Sequence, residues 1–270
     1  MSQVKDAKRI VCKVGTSTLT HHTGKTNLRR VDRLAAVLSD LHNAGKEVVL
    51  VSSGAIGVGA GKLGLPDRPR DTPGKQAAAA VGQCELMSLY SKMFGTYGNV
   101  VSQLLLTRDD VENQTRRGNL LNTFSKLFAF GAIPIVNEND SVSTEELEAG
   151  GGEAITFGEN DALAAVVAEL IGADALIFLT DTDGLFTANP ALDEEATLLS
   201  VVSCVTEDIM ALAGGSGTNR GSGGMITKLR AAKSATQAGI DVVVMNGTVP
   251  ENLYQLMEGR QIGTHFKAIC

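Results

Sequence analysis

Arg9-Ile10-Val11-Cys12-Lys13-Val14-Gly15-Thr16-Ser17 (RIVCKVGTS, residues 9–17) is the stretch that decides the fold. Its apolar residues are continuous rather than alternating, as in a strand buried on both faces, and it breaks at once into a Gly-Thr-Ser turn. The same pattern recurs in EVVLVSS (47–53), NVVSQLLL (99–106), AIPIVNE (132–138), DALIFLT (174–180) and DVVVMN (241–246). Between these runs, 28–43, 75–94, 114–130, 161–171 and 225–237 carry apolar residues at helical spacing. Glycines 45, 131 and 172 sit near helix ends, where a left-handed cap costs little. Strand and helix alternate, which predicts an α/β fold: a three-layer α/β/α sandwich around an open, mostly parallel central sheet. The stretch Ser141–Phe157 reads either as a β-hairpin turning through Gly150-Gly151-Gly152 or as a loose loop at the substrate.

Composition narrows the function. A hydrophobic fraction of 43% with 20% charged residues provides a sizeable core and excludes disorder. Eight Phe, three Tyr and no Trp leave little for stacking single-stranded nucleic acid. A formal charge of −6 argues against nucleic acid or an anionic membrane as partner. The four cysteines are far apart with no C-x-x-C, so neither a zinc site nor a disulfide framework is expected, and Cys12 reads as a small buried hydrophobe. The longest apolar stretch, 163–179, is broken by Glu169 and Asp174, so no membrane span is expected. The N-terminus lacks the apolar core of a signal peptide, and a cytoplasmic setting is expected. Residues 1–270 read as one domain whose two lobes meet near residue 172.

In an open parallel sheet, ligands bind beyond the carboxyl ends of the strands. Polar, glycine-rich turns follow the predicted strands there: Lys13–Ser17, Ser52–Gly57, Asn137–Asp140 and Thr180–Gly184. The last long helix is preceded by Gly221-Ser222-Gly223-Gly224 and carries Lys228 in its first turn. Glycine turns and helix starts suit a phosphate, and two convergent lysines suit phosphoryl transfer, which needs positioning and charge neutralisation. Lys13 is the sharper candidate, because a lysine at the end of a buried strand is costly without a partner. Lys228 by itself reads equally as a surface lysine. Thirty glycines are many for 270 residues, and most of the excess is expected beside ligand-binding turns, the group from Gly54 to Gly61 included.

Literal motif matches fail on context. Gly59-Ala60-Gly61-Lys62-Leu63-Gly64 fits G-x-G-x-x-G but begins about seven residues after its strand, where a dinucleotide fingerprint starts at the strand end. Gly24-Lys25-Thr26 lacks the first glycine of a Walker A loop, and Asp181-Thr182-Asp183-Gly184 lacks the closing glutamate of a calcium loop. Ser53 misses the Gly-x-Ser-x-Gly elbow, with Val51 and Ala55 at the flanking positions. His21, His22, His42 and His265 follow no buried strand, so none is placed as a general base.

Taken together, Lys13–Ser17, Ser52–Ile56, Asn137–Asp140, Phe157–Asp161, Leu179–Asp181 and Gly223–Lys228 make the chain resemble the amino-acid-kinase family over nearly its whole length. The resemblance implies ATP-dependent phosphorylation of the γ-carboxylate of L-glutamate, the first step toward proline. By that likeness Ser53, Gly54, Asn137, Asp140 and Asn160 hold glutamate. Lys13 and Lys228 span the transferred phosphoryl and Asp161 orients them. ATP is held by Lys13, Gly15, Thr180, Asp181, Ser222, Gly223, Gly224, Met225, Ile226, Thr227 and Lys228. Mg²⁺ arrives with the nucleotide, and no protein ligand to a metal is assigned. The likeness also implies a glutamate-binding lobe (1–172), an ATP-binding lobe (173–270), proline as feedback inhibitor and a homo-oligomer, dimer or tetramer. No C-terminal PUA-type domain is expected, since 270 residues hold the kinase domain alone. A carboxylate acceptor is ionised at neutral pH and needs no general base, which agrees with the lack of a placed histidine. Three features depart from the family pattern: Glu159 replaces an aspartate, Ile226 replaces a small polar residue, and the 141–157 segment is long. The competing readings are a kinase of another carboxylate or of carbamate, and a non-catalytic sensor on the same fold.

Overall fold

The computed structural model describes residues 3–21, 25–143, 160–213 and 224–269. All six predicted strands are present: β1 (Arg9–Val14), β2 (Glu47–Ser52), β3 (Val100–Leu106), β4 (Ala132–Glu138), β5 (Ala175–Thr180) and β7 (Asp241–Asn246). Two short ones join them, β6 (Val201–Val202) and β8 (Thr264–Phe266). They form one sheet in the order β3-β4-β2-β1-β5-β7-β8-β6. Every pairing is parallel except β7 with β8. Asp174, predicted as the first residue of its strand, instead stands outside β5. Its carboxylate accepts from the backbone N–H groups of Lys8 (2.7 Å) and Arg9 (2.8 Å), tying the start of β1 to the start of β5.

The helices among the described residues are α1 (Thr16–Leu19), α2 (Leu28–Asn43), α3 (Ala55–Lys62), α4 (Thr72–Thr96), α5 (Arg108–Glu112), α6 (Gln114–Ala129), α7 (Asn160–Ile171), α8 (Glu207–Leu212), α9 (Met225–Gln237) and α10 (Asn252–Met257). α4 starts three residues before its predicted boundary. Asp71 caps it, accepting from Gly74 N–H at 2.9 Å, and Pro73 sits in the first turn, where its missing N–H costs nothing. The expected hairpin or loop at 141–157 lies outside the described residues beyond Ser143, as does most of the irregular stretch 211–224.

Alternation along the strands sorts side chains onto two cores. Ile10, Cys12 and Val14 of β1 face one cluster with Leu34 and Leu38 of α2 and Tyr90 and Phe94 of α4. Val11 faces the other, with Leu163 and Val167 of α7 and Leu229 and Ala232 of α9. Lys13, next but one to Val11, therefore points toward α7 and α9. Cys12 is fully buried, and burial pushes its thiol up to about 12, the inert buried residue expected from the sequence.

The strand order reverses at β1, with β2 on one side and β5 on the other, so the crevice beyond its carboxyl end is where an open α/β sheet binds ligands. α3 and α4 pack closely on one side of that edge. A Cβ on Gly59 would stand 1.8 Å from the Ala78 carbonyl oxygen, and one on Gly82 would stand 1.8 Å from that of Ala55. Gly59 thus lies inside a helix as a packing surface. That explains the failed dinucleotide match and corrects the expectation that the Gly54–Gly61 group as a whole serves ligand binding.

Candidate active site

Asp161 is the centre of the site. It opens α7, is 1% exposed, and meets two lysines from different elements. Lys13 Nζ at the end of β1 lies 2.6 Å from Oδ1, and Lys228 Nζ in the first turn of α9 lies 3.1 Å from Oδ2. Both lysines are only 7% exposed. Thr227 also donates from Oγ1 to Oδ2, at 2.6 Å. Burial alone would raise the carboxyl pKa. The nearby charges of Lys13 and Lys228 and the hydrogen bonds from Lys13 and Thr227 outweigh it and hold Asp161 at about 2. The carboxylate is therefore ionised at neutral pH and faces the ammonium groups of Lys13 and Lys228.

Around this centre the strand ends place the other predicted residues. Gly15 follows β1, and a Cβ there would come within 3.8 Å of Lys13 Nζ. Beyond β2, Ser53 donates to the Val14 carbonyl (3.3 Å) and lies 3.3 Å from Thr16 Oγ1. Gly54 begins α3 at φ +100°, a left-handed conformation that a side chain disfavours. A Cβ at Gly54 would also stand 3.0 Å from Thr16 Oγ1. At the end of β4, Asn137 is buried and donates from Nδ2 to Gln83 Oε1 at 2.9 Å. Asn137 Oδ1 and Asn160 Oδ1 are buried without a hydrogen-bond partner among the described residues. Such orphan acceptors are rare in native structures and are what a donor-bearing ligand would satisfy.

Asp140 lines a cleft of about 440 Å³ with Ala55, Gln83, Glu138, Asn139 and Ser141. Thr180, buried at the end of β5, sets its hydroxyl 3.1 Å from Asp181 Oδ1, and its carbonyl accepts from Gly247 N–H at 2.7 Å. Asp181 itself is exposed. Gly224, Met225, Ile226 and Thr227 lead into Lys228, with Gly224 at the N-cap of α9. Ser222, Gly223 and Glu159 lie outside the described residues.

Gln83 and Tyr90 went unread in the sequence. Gln83 is a polar residue on the buried side of an alanine-rich helix, and that mismatch is the signal that could have exposed it. Tyr90 supports the β2 end from below, its hydroxyl 2.8 Å from Ser52 Oγ, and burial pushes it up to about 12 despite that hydrogen bond, so it stays neutral. His265 lies within β8, which the sequence reading missed. Its Nε2 is 3.2 Å from Asp241 Oδ1, at the opposite end of β7 from the site.

Residues 8–246 match the family model described as "Amino acid kinase family". The chain belongs to the amino acid kinase family. Among similar amino acid kinases is a protein of Clostridium perfringens (strain 13 / Type A) named glutamate 5-kinase. It is 52% identical over 265 residues, which cover 98% of this chain and 97% of that one. A protein of the same name from Enterococcus faecalis (strain ATCC 700802 / V583) is 48% identical, covering 98% and 96%. Among solved structures, UMP kinase from Bacillus anthracis aligns with a TM-score of 0.64 at 16% identity, covering 98% of this chain and 97% of the other. Isopentenyl phosphate kinase from T. acidophilum gives 0.63 at 17%, covering 96% and 100%. At that identity the two structures speak for the amino acid kinase fold alone.

Proposed function

We propose that this chain transfers the γ-phosphoryl group of ATP to the γ-carboxylate of L-glutamate. The observation that carries the chemistry is the pair of buried lysines, from β1 and α9, converging on one ionised carboxylate at the carboxyl edge of the sheet. Relatives named glutamate 5-kinase, alike over nearly their whole length, support glutamate as the acceptor.

The electrostatic problem is that one anion must approach another. Donors held in place at the point where charge develops reduce that barrier, and they act more strongly in a buried site than in water. Lys13 reaches the site from the strand end and Lys228 from the helix start, so they can flank a phosphoryl group between donor and acceptor. One carboxylate fixes both ammonium groups. The acceptor side falls to Ser53, the backbone at Gly54, Asn137, Asp140 and Asn160, with Asp140 as countercharge to the substrate ammonium. The nucleotide side falls to Gly15, Thr180, Asp181 and the run from Ser222 to Ile226, with Lys228.

Magnesium fits this arrangement as a passenger on ATP. Among the described residues no three His, Cys, Asp or Glu side chains are grouped to hold a metal ion. Mg²⁺ commonly takes one or two carboxylates, substrate phosphates and waters, and Asp181 is an exposed carboxylate at the nucleotide side. When bound it would neutralise phosphate charge.

Incubation with ATP, Mg²⁺ and hydroxylamine traps an acyl phosphate as the hydroxamate. The expected result is product from glutamate and little from N-acetylglutamate or aspartate. Product from N-acetylglutamate alone assigns a different acceptor, and absence of product from all three overturns the kinase reading.

A further inference from the structure

We propose that Thr227 is a positioning residue of the transfer reaction, its hydroxyl fixing the plane of the Asp161 carboxylate so that Lys13 and Lys228 converge on one point. The proposal rests on the glutamate-kinase reading above and gives Thr227 a role distinct from nucleotide contact.

Thr227 is buried in the first turn of α9, directly before Lys228. Its Oγ1 lies 2.6 Å from Asp161 Oδ2 and 2.9 Å from the carbonyl oxygen of Gly224, three residues back. A hydroxyl carries one proton, and here it is shared in a three-centre bond, the larger part to the charged carboxylate and the smaller to the Gly224 carbonyl at the helix N-cap. The bond to a carbonyl three residues back favours one side-chain rotamer of a helical threonine. That rotamer aims Oγ1 at Asp161.

The two lysines cannot do this work themselves. An ammonium is a compact charge with rotatable donors on a four-carbon stem, so it attracts a carboxylate without defining its plane. A hydroxyl on a short, β-branched side chain is stiff, and it holds the oxygen that Lys228 also approaches, at 3.1 Å. Loss of the Thr227 bond would leave Asp161 ionised but free to rotate, and both lysines would follow it. Its position also links the carboxylate to Gly224 at the N-cap of α9.

The test compares Thr227→Val, which keeps the branched shape and deletes the hydroxyl, with Thr227→Ser, which keeps the hydroxyl. For Thr227→Val, kcat is expected to fall roughly 10- to 100-fold, the range for a lost bond to a charged group. KM for ATP and for glutamate should both stay within about twofold, as for an interaction that acts on turnover alone. Thr227→Ser should recover most of the lost kcat. A raised ATP KM with unchanged kcat overturns the proposal in favour of nucleotide contact. A serine variant as slow as the valine variant overturns it in favour of packing. Should the valine variant fail to fold, Thr227→Ala against Thr227→Ser carries the same comparison.

A wild-type protein that makes no hydroxamate from glutamate defeats the functional reading, and a substrate-free measurement then judges Thr227. The ¹³C carboxyl resonance of Asp161, facing the charges of Lys13 from β1 and Lys228 from α9, should titrate at higher pH in Thr227→Val than in wild type. An unchanged titration contradicts the proposal.

Discussion

Replacing Asp161 by Asn removes the negative charge and keeps the shape. In the wild type both lysines rest on that carboxylate, at 2.6 and 3.1 Å, with all three groups at least nine-tenths buried. The variant removes the charged partner on which both buried ammonium groups rest. Breaking a buried pair in this way costs about 3–5 kcal/mol, because the remaining charge is uncompensated. The midpoint of thermal unfolding should drop by roughly 5–15 °C for a chain of this size. Turnover should fall about 100-fold or more, since both phosphoryl-facing donors lose their placement. One further effect separates lost charge from general damage. On the proposed function ATP would bring negative phosphates to the same lysines, so saturating ATP should raise the unfolding midpoint of Asp161→Asn by more than it raises that of wild type. Hydroxamate assays give kcat, and calorimetry with and without nucleotide gives the shifts. A variant with wild-type kcat and an unchanged midpoint refutes the view that Asp161 organises the lysines.

Other consequences follow from single positions. The Asp161 carboxyl lies at about 2 against an ordinary 3.8, which corresponds to about 2 kcal/mol of folding stability. Because the folded value is the lower one, that contribution is present above about pH 4 and is lost as pH falls toward 2, so urea midpoints should decline through that window and decline less in Asp161→Asn. Gly54→Ala places a side chain at φ +100° and against Thr16, so stability should fall by about 1–2 kcal/mol in urea titration and the glutamate KM should rise. Gly82→Ala drives a methyl into the Ala55 carbonyl and should cost about 3 kcal/mol or more, seen as a lower urea midpoint or as insoluble protein. A Gly82→Ala variant of normal stability contradicts the close approach of α3 and α4.

The layered sheet was legible because its central strands are buried on both faces and its helices carry apolar residues at helical spacing, patterns that a short window contains; β3, read the same way, lies at the sheet edge and leaves Val100 exposed. β6 and β8 were not legible. Val201–Val202 and Thr264–Phe266 are too short to carry a period, and they become strands only through pairing with each other and with β7. Lys13 announced itself by its cost: a lysine closing a buried strand needs a partner. Its partner did not, since Asp161 stands 148 residues away and only the strand order brings α7 over β1. Lys228 was read from its place after a glycine-rich run and Asp161 through family resemblance, and the structure brings both together with Lys13. Gln83 escaped because it looks ordinary along the chain, and Thr227 was read only as a nucleotide contact. Their meaning lies in contacts to Asn137 and Asp161 across the fold.

The most direct test of charge neutralisation by the buried lysines is the kinetic profile of Lys228→Ala. In the proposed assignment Lys228 serves the nucleotide side, so its removal should lower kcat about 100-fold or more while the glutamate KM stays within about threefold, the pattern of a group that acts on the transition state. A near-normal kcat, or a loss confined to the glutamate KM, contradicts that role.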